Sequence, residues 1–189
     1  MNNKTLLLLT LMVMLLTACQ AATGPTLLME KRPQGMDFTG GIGPVVKYKQ
    51  ISAQDNFGGD MTLWGVRFFG GRLSDPELGL IYTTSTLTGR ALKFNLDMAG
   101  LTLEDSFRED ARVKWRATLG GGNYKLRTST GGLVRTKGSF TWFEPMILGV
   151  LPMTRHIVLE FGVGYTFAGA TGVRIEGLAL QCELLMGKF

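Results

Sequence analysis

Residues Leu92–Met98 read LKFNLDM, and within them every second side chain is apolar while those between are polar. Successive side chains of a β-strand point to opposite faces, so the segment predicts a strand with one greasy and one polar side. The stretch 112–119, RVKWRATL, repeats the rule with cations on the polar side. In 157–167, IVLEFGVGYTF, glycines join the second face. Around these three, Pro44–Ile51, Met61–Leu73, Leu78–Thr88, Ser139–Leu151 and Arg174–Phe189 are rich in β-branched, aromatic and glycine residues, most of them bounded by glycine or polar clusters. Eight strands result. They leave few long connections, which favours an up-and-down antiparallel meander over helical crossovers. The expected fold is therefore all-β, an antiparallel barrel of about eight strands. Irregular chain is expected at residues 20–37, around Glu104–Asp110 in LEDSFRED, and between Thr128 and Lys137.

Alternation says which residues share a face and leaves open which face points inward. With the apolar face outward, the chain is a small membrane barrel whose interior holds Lys93, Asn95, Asp97, Arg112, Lys114, Arg116 and Glu160. With the apolar face inward, it is a soluble barrel able to hold an apolar ligand. Segments of about 10 alternating residues match what a tilted strand needs to cross hydrocarbon, which favours the first closure. Aromatics at Trp64, Phe68, Tyr82, Phe94, Trp115, Phe140, Trp142, Phe161, Tyr165 and Phe167 supply candidate interfacial girdles. Interior cations need partners, and Asp97, Glu160 and Glu183 belong to the same polar-face set. An eight-stranded barrel is just wide enough for its own side chains, so a wide diffusion pore is not expected.

The amino terminus sets the compartment. Lys4 precedes an apolar run from Leu6 to Leu16, too short for the roughly 20 residues of a membrane-crossing helix and suited to a removable signal. It ends on Leu16, Thr17, Ala18 and Cys19, which resemble the lipobox of bacterial lipoprotein precursors. The resemblance implies a signal peptide over residues 1–18 and a mature chain that starts at Cys19, acylated on its sulfur and amine with palmitate-type chains. Residues 19–37 are then a tether and 38–189 the barrel. Gln20, where an Asp would mark inner-membrane retention, resembles the outer-membrane class of lipoprotein. The other thiol, Cys182, is left without a disulfide partner and reads as a small apolar side chain.

Phe189 closes a strand-like segment. A terminal aromatic resembles the carboxy-terminal signal of outer-membrane barrels, and Pro44–Phe189 is similar to the small eight-stranded barrels of the OmpA/OmpX type. In that group further aromatics share the face of the last residue. Here Gly187, Leu185, Glu183 and Gln181 share it, and Leu178, Leu180, Cys182, Leu184 and Met186 form the apolar set; a bulge near Gly187 would bring the two into line. The lipocalin hallmark, Gly, any residue, Trp, is absent, because Trp64 comes before Gly65.

No pattern of residues selects a chemistry. His156 is the one histidine, and RHIV at 155–158 lacks the His, any residue, Ser, Asn arrangement of the lipid A deacylases; Ser139, Ser106 and Glu160 remain partners by topology only. Glu104, Asp105, Glu109 and Asp110 form an acidic run without the alternating oxygens and turn glycine of a calcium loop. Gly120–Gly122 is followed by Asn123 and Tyr124, not by the Lys-Ser or Lys-Thr of a phosphate loop. No metal or cofactor is expected. The formal net charge of +5 suits anionic lipid or lipopolysaccharide in an exported protein, not nucleic acid. The expected role is non-enzymatic, a structural or surface-interaction protein of the cell envelope bound to membrane lipid through Cys19. Alternatives are a tethered periplasmic lipid-binding barrel, a lipid-modifying outer-membrane enzyme and an accessory subunit of an envelope complex.

Overall fold

A computed structural model of the chain describes residues 38–53, 58–72, 76–89, 92–107, 112–128, 132–169 and 173–188. Cys19 with its signal and tether, the acidic pair Glu109 and Asp110, and Phe189 lie outside the described residues. The elements are β1 (Phe38–Ala53), β2 (Gly58–Arg72), β3 (Glu77–Thr88), β4 (Leu92–Ser106), β5 (Val113–Thr128), β6 (Val134–Pro152), β7 (Ile157–Gly169), the two-residue bridge β8 (Val173–Arg174) and β9 (Gly177–Lys188). Each long strand pairs antiparallel with its neighbours, β9 returns to β1, and β1 pairs with β2, so the sheet closes into an eight-stranded barrel.

The registers give the stagger of that closure. From Ser139 on β6 the partners run through Asn123, Asp97, Thr84, Trp64, Val46, Cys182 and Phe161, and return to β6 at Gly149, ten residues from the start. For eight strands this stagger fixes a tilt of about 40°, so each residue advances about 2.5 Å along the barrel axis. Two seams are interrupted. The β1–β9 ladder lapses at Gly43 and Pro44, and the β6–β7 ladder lapses at Glu144 and Pro145, where proline lacks the N–H the neighbour needs.

The strands are longer than the sequence pattern suggests because the apolar residues change faces partway along them. On β4 the inward side chains are Leu92, Phe94, Leu96 and Met98, then Gly100, Thr102 and Glu104; the outward ones are Lys93, Asn95 and Asp97, then Ala99, Leu101 and Leu103. On β5 the inward row runs Lys114, Arg116, Thr118, then Tyr124 and Leu126, and the outward row runs Val113, Trp115, Ala117, Leu119, then Asn123, Lys125 and Arg127. Chain direction alternates between neighbours, so both switches fall at one level of the barrel. The half that holds the start of β1 and the end of β9, the two ends of the described chain, is greasy outside and ionic inside. The opposite half is polar outside and greasy inside.

The greasy filling of that far half comprises Ile51, Met61, Leu63, Phe94, Leu96, Met98, Tyr124, Leu126, Phe140, Trp142, Val173 and Ile175, all buried. Phe94, Leu63 and Leu96 are fully inaccessible, and each such side chain contributes about 1.5–3 kcal/mol relative to leaving it exposed. Ile175, also inaccessible, lies between β8 and β9 and closes the filling at the rim.

Three local expectations change. Glu104 is not in an acidic loop but fully buried on the last turn of alternation in β4, because the Arg67 and Arg116 guanidinium groups face it inside the barrel. The β9 register runs without a shift from Gly40↔Lys188 to Val45↔Glu183, so no bulge occurs near Gly187; the register shift lies on β6 opposite Leu126 and Arg127. The chain beyond Thr128 re-enters the sheet at Val134, earlier than Lys137.

Candidate functional site

The interior polar row divides. Lys114, Arg116 and Glu160 line the inside, as greasy-out closure requires of that half. Lys93, Asn95 and Asp97 are on the outer wall, because their half of β4 turns Phe94, Leu96 and Met98 inward. Arg112 is exposed just before β5, outside the barrel lumen.

The inner ions form two layers. In the layer nearer the chain ends, Arg116 Nε stands 2.7 Å from Glu104 Oε2 and its Nη2 2.8 Å from Glu160 Oε2, while Nη1 donates to Glu183. Arg67 reaches the same carboxylates, Nη2 at 2.6 Å from Glu104 and Nη1 at 3.2 Å from Glu183. Lys114 Nζ lies 3.2 Å from Glu77, 3.4 Å from Glu104 and 3.6 Å from Glu160, and the Thr39 hydroxyl donates to Glu77 at 3.0 Å. In the second layer Lys47 Nζ sits 2.6 Å from Glu144 and 5.3 Å from the Trp142 ring centroid. Lys49 donates to the Thr166 hydroxyl at 2.5 Å, and that hydroxyl donates to Glu144. Five cations thus meet five carboxylates, so the lumen is electrically balanced and physically plugged. Buried ions survive only when matched in this way.

In this plug every carboxylate faces at least one lysine or arginine, the arrangement of a structural ion network. Among the described residues no group of three or more His, Cys, Asp or Glu side chains is placed to hold a metal ion. His156 lies exposed between β6 and β7, its Nδ1 3.2 Å from the Gly187 carbonyl oxygen. Ser139 is on the outer wall toward the other end of β6, so the two do not meet. Ser106, at the end of β4 opposite Lys114, shares the inner face with Glu160 of β7, whose carboxylate is held by Arg116.

The outer wall carries two further features. The first is an apolar belt around the half that holds the chain ends, with Ile42, Trp64, Phe68, Leu80, Leu101, Leu119, Ile147, Val163 and Leu184 exposed. On β7 its outward residues run from Ile157 to Phe167, about 25 Å along the axis at this tilt, the height of the lipid-facing band of an outer-membrane barrel. Away from the chain ends the belt closes on Tyr48, Trp64, Tyr82, Phe143 and Phe167, on β1, β2, β3, β6 and β7, which is the placement of an interfacial aromatic girdle. Cys182 faces outward within the belt, between Leu180 and Leu184.

The second feature is a polar cleft of 480 Å³ on the outer wall of β4, β5 and β6, above the belt. Its walls are Asn95, Asp97, Asn123, Lys125, Arg127, Lys137 and Ser139, and Tyr124 and Gly138 form the floor. Cross-strand registry makes it a grid: Asp97, Asn123 and Ser139 in the lowest row, Asn95, Lys125 and Lys137 above them, and Lys93 beside Arg127 at the top. The sequence reading expects Lys93, Asn95 and Asp97 in the lumen and Phe94, Phe140 and Trp142 in an outer girdle, whereas the first three stand outside and the aromatics inside; of the β5 and β6 members it considers Ser139, as a partner of His156. The signal was present in the parity switch of the apolar residues at Ala99–Leu101.

No protein-family profile matches the chain, and no curated sequence matches it. Among solved structures it is similar to Neisserial surface protein A, NspA, with a TM-score of 0.54 and 16% identity over 82% of this chain and 98% of that one. It is also similar to Ail, the attachment invasion locus protein of Yersinia pestis, with a TM-score of 0.51 and 13% identity over 79% of this chain and 95% of that one. The likeness is one of fold, the closed eight-stranded antiparallel barrel of the outer-membrane type.

Proposed function

We propose that the protein is an outer-membrane lipoprotein whose barrel sits in the bilayer and serves a structural or surface-interaction role in the cell envelope. The observation that carries this reading is the change of face. An outward apolar belt of hydrocarbon height, capped by aromatics, is matched inside by a balanced ion plug, and both give way at one level to a polar wall with a dry filling. A barrel standing half in lipid and half in water needs that arrangement, and a uniformly soluble barrel has no use for the belt.

The half with the chain ends faces the periplasm in this reading, and the polar wall projects outward from the cell. Cys19 carries the acyl anchor. The 19 residues from Cys19 to Asp37 span up to about 65 Å when extended, enough to reach the inner leaflet of the same membrane from the start of β1. The acyl chains and the lipids around the belt are the membrane partners, and the exposed cations above it face lipopolysaccharide.

The test is Cys19→Ala behind a conventional signal peptide. The protein is expected to lose labelling by radioactive palmitate, yet still to fractionate with outer membranes and to show heat-modifiable gel mobility. A freely soluble product would refute the inserted barrel in favour of a tethered periplasmic one. Palmitate labelling that persists would refute Cys19 as the anchor.

A further inference from the structure

The cationic grid is an arrangement that a free-standing sheet disfavours. Lys93 is the direct cross-strand partner of Arg127, and Lys125 is the direct partner of Lys137, so two like-charged pairs lie side by side. Like charges placed opposite one another destabilise a sheet. None of the four forms an ion pair among the described residues, in contrast to the lumen, where every cation has a carboxylate. The one acid in the cleft, Asp97, is occupied on the β3 side, accepting from the Thr84 hydroxyl at 2.6 Å and the Tyr82 hydroxyl at 3.4 Å. The Arg127 Nε is buried without a hydrogen-bond partner, so this guanidinium keeps donor capacity that the protein itself does not use.

The wall beneath the grid adds a second observation. The aromatic girdle is interrupted on β4 and β5, where outward Ala99 and Gly121 stand between the grid and Leu101 and Leu119. A Cβ at Gly121 would meet nothing nearer than the Phe140 carbonyl oxygen at 3.8 Å, so the outer wall is shallow there. Lys125 stands six residues beyond Leu119, about 15 Å further along the axis. The order from the belt outward is therefore greasy wall, shallow step, amide and hydroxyl groups, then four cations.

We propose that this cleft seats one phosphorylated glycolipid of the outer leaflet, with its phosphate on Lys125, Arg127, Lys137 and Lys93. Its sugar hydroxyls meet Asn95, Asn123 and Ser139, and one acyl chain lies down the step at Ala99 and Gly121. The assignment rests on the membrane orientation of the preceding section. Charge complementarity and continuity with the apolar belt select a lipid over a soluble anion. The cations supply affinity, and the amides and hydroxyls supply the preference for a sugar over a simple phospholipid headgroup.

The test uses the full chain solubilised in a neutral detergent, with native mass spectrometry reading the bound fraction of bisphosphorylated lipid A and of dephosphorylated lipid A. The wild type is expected to bind the phosphorylated form at least about tenfold more tightly. Lys125→Ala combined with Lys137→Ala is expected to abolish that preference without altering binding of the dephosphorylated form. Arg174→Ala, a surface cation already paired with Glu176 at 2.8 Å, is expected to leave it intact. Heat-modifiable mobility verifies that each variant is folded. If the double variant does not fold, the wild type decides alone, since added salt must weaken binding of the phosphorylated lipid and spare the other. Equal affinity for both lipids, or a preference that survives in the folded double variant, overturns the site. Tripolyphosphate bound as tightly as the lipid overturns the lipid as its source. A protein that fractionates with outer membranes yet shows no phosphate preference refutes this inference alone, whereas one absent from outer membranes refutes the orientation on which it rests.

Discussion

An arginine moved along the outward face of β4 reports directly on where the solvent of the barrel changes. Leu101 is 64% exposed within the apolar belt, and Asn95 occupies the same face six residues away, about 15 Å along the axis. Leu101→Arg places a guanidinium against hydrocarbon, which costs about 2–4 kcal/mol near the bilayer centre, and Asn95→Arg places one in water at a cost of about 0–1 kcal/mol. The two should differ by about 2–3 kcal/mol when urea unfolding from phospholipid vesicles is followed by tryptophan fluorescence. The inward face should run the other way: Phe94, fully inaccessible, is expected to cost about 3–5 kcal/mol on truncation to alanine. Equal costs for the two arginines, or a Phe94→Ala penalty under about 1 kcal/mol, would refute the change of face and with it the proposed depth of insertion.

Other perturbations probe the lumen. Arg116→Met leaves Glu104, Glu160 and Glu183 short of their shared cation and should cost about 3–5 kcal/mol in the same unfolding assay. Adding Glu183→Gln should recover part of that loss, and strict additivity of the two changes would deny the network. Gly65 points inward, where a Cβ would press on the Tyr82 carbonyl; Gly65→Ala is expected to destabilise by about 1–3 kcal/mol, measured by the midpoint of urea unfolding. Planar-bilayer recordings of the wild type should show no stable open channel, since two ion layers and the Phe94–Trp142 filling occupy the bore; steady conductance would contradict the plug.

Much of the fold was legible because period-two alternation is a direct image of strand geometry. Leu92–Met98 and 157–167 gave their strands, and the short connections gave the antiparallel order. The inward or outward sense was not legible from any short window, since seven alternating residues look the same in a soluble and a membrane barrel. Read across its whole length, β4 does carry the answer: its apolar residues occupy even positions through Met98 and odd ones from Leu101. β5 shows the same exchange across Gly120–Gly122, from Trp115 and Leu119 to Tyr124 and Leu126. Glu104 escaped for a different reason. Its neighbours Asp105, Glu109 and Asp110 make the segment look like a solvated acidic turn, and its true partners Arg67 and Arg116 are distant in sequence, brought close only by closure. The outer cleft is likewise a product of registry, because Lys93, Lys125 and Lys137 become neighbours only when three strands are laid side by side.

The dry filling of the far half bears on reach. Connections there are brief, three residues between β3 and β4 and five between β5 and β6, so the length of that half is gained by strand and not by loop. A wall with its own interior packing does not depend on lipid for its shape, so in the proposed orientation this half would stand in water as a stiff post.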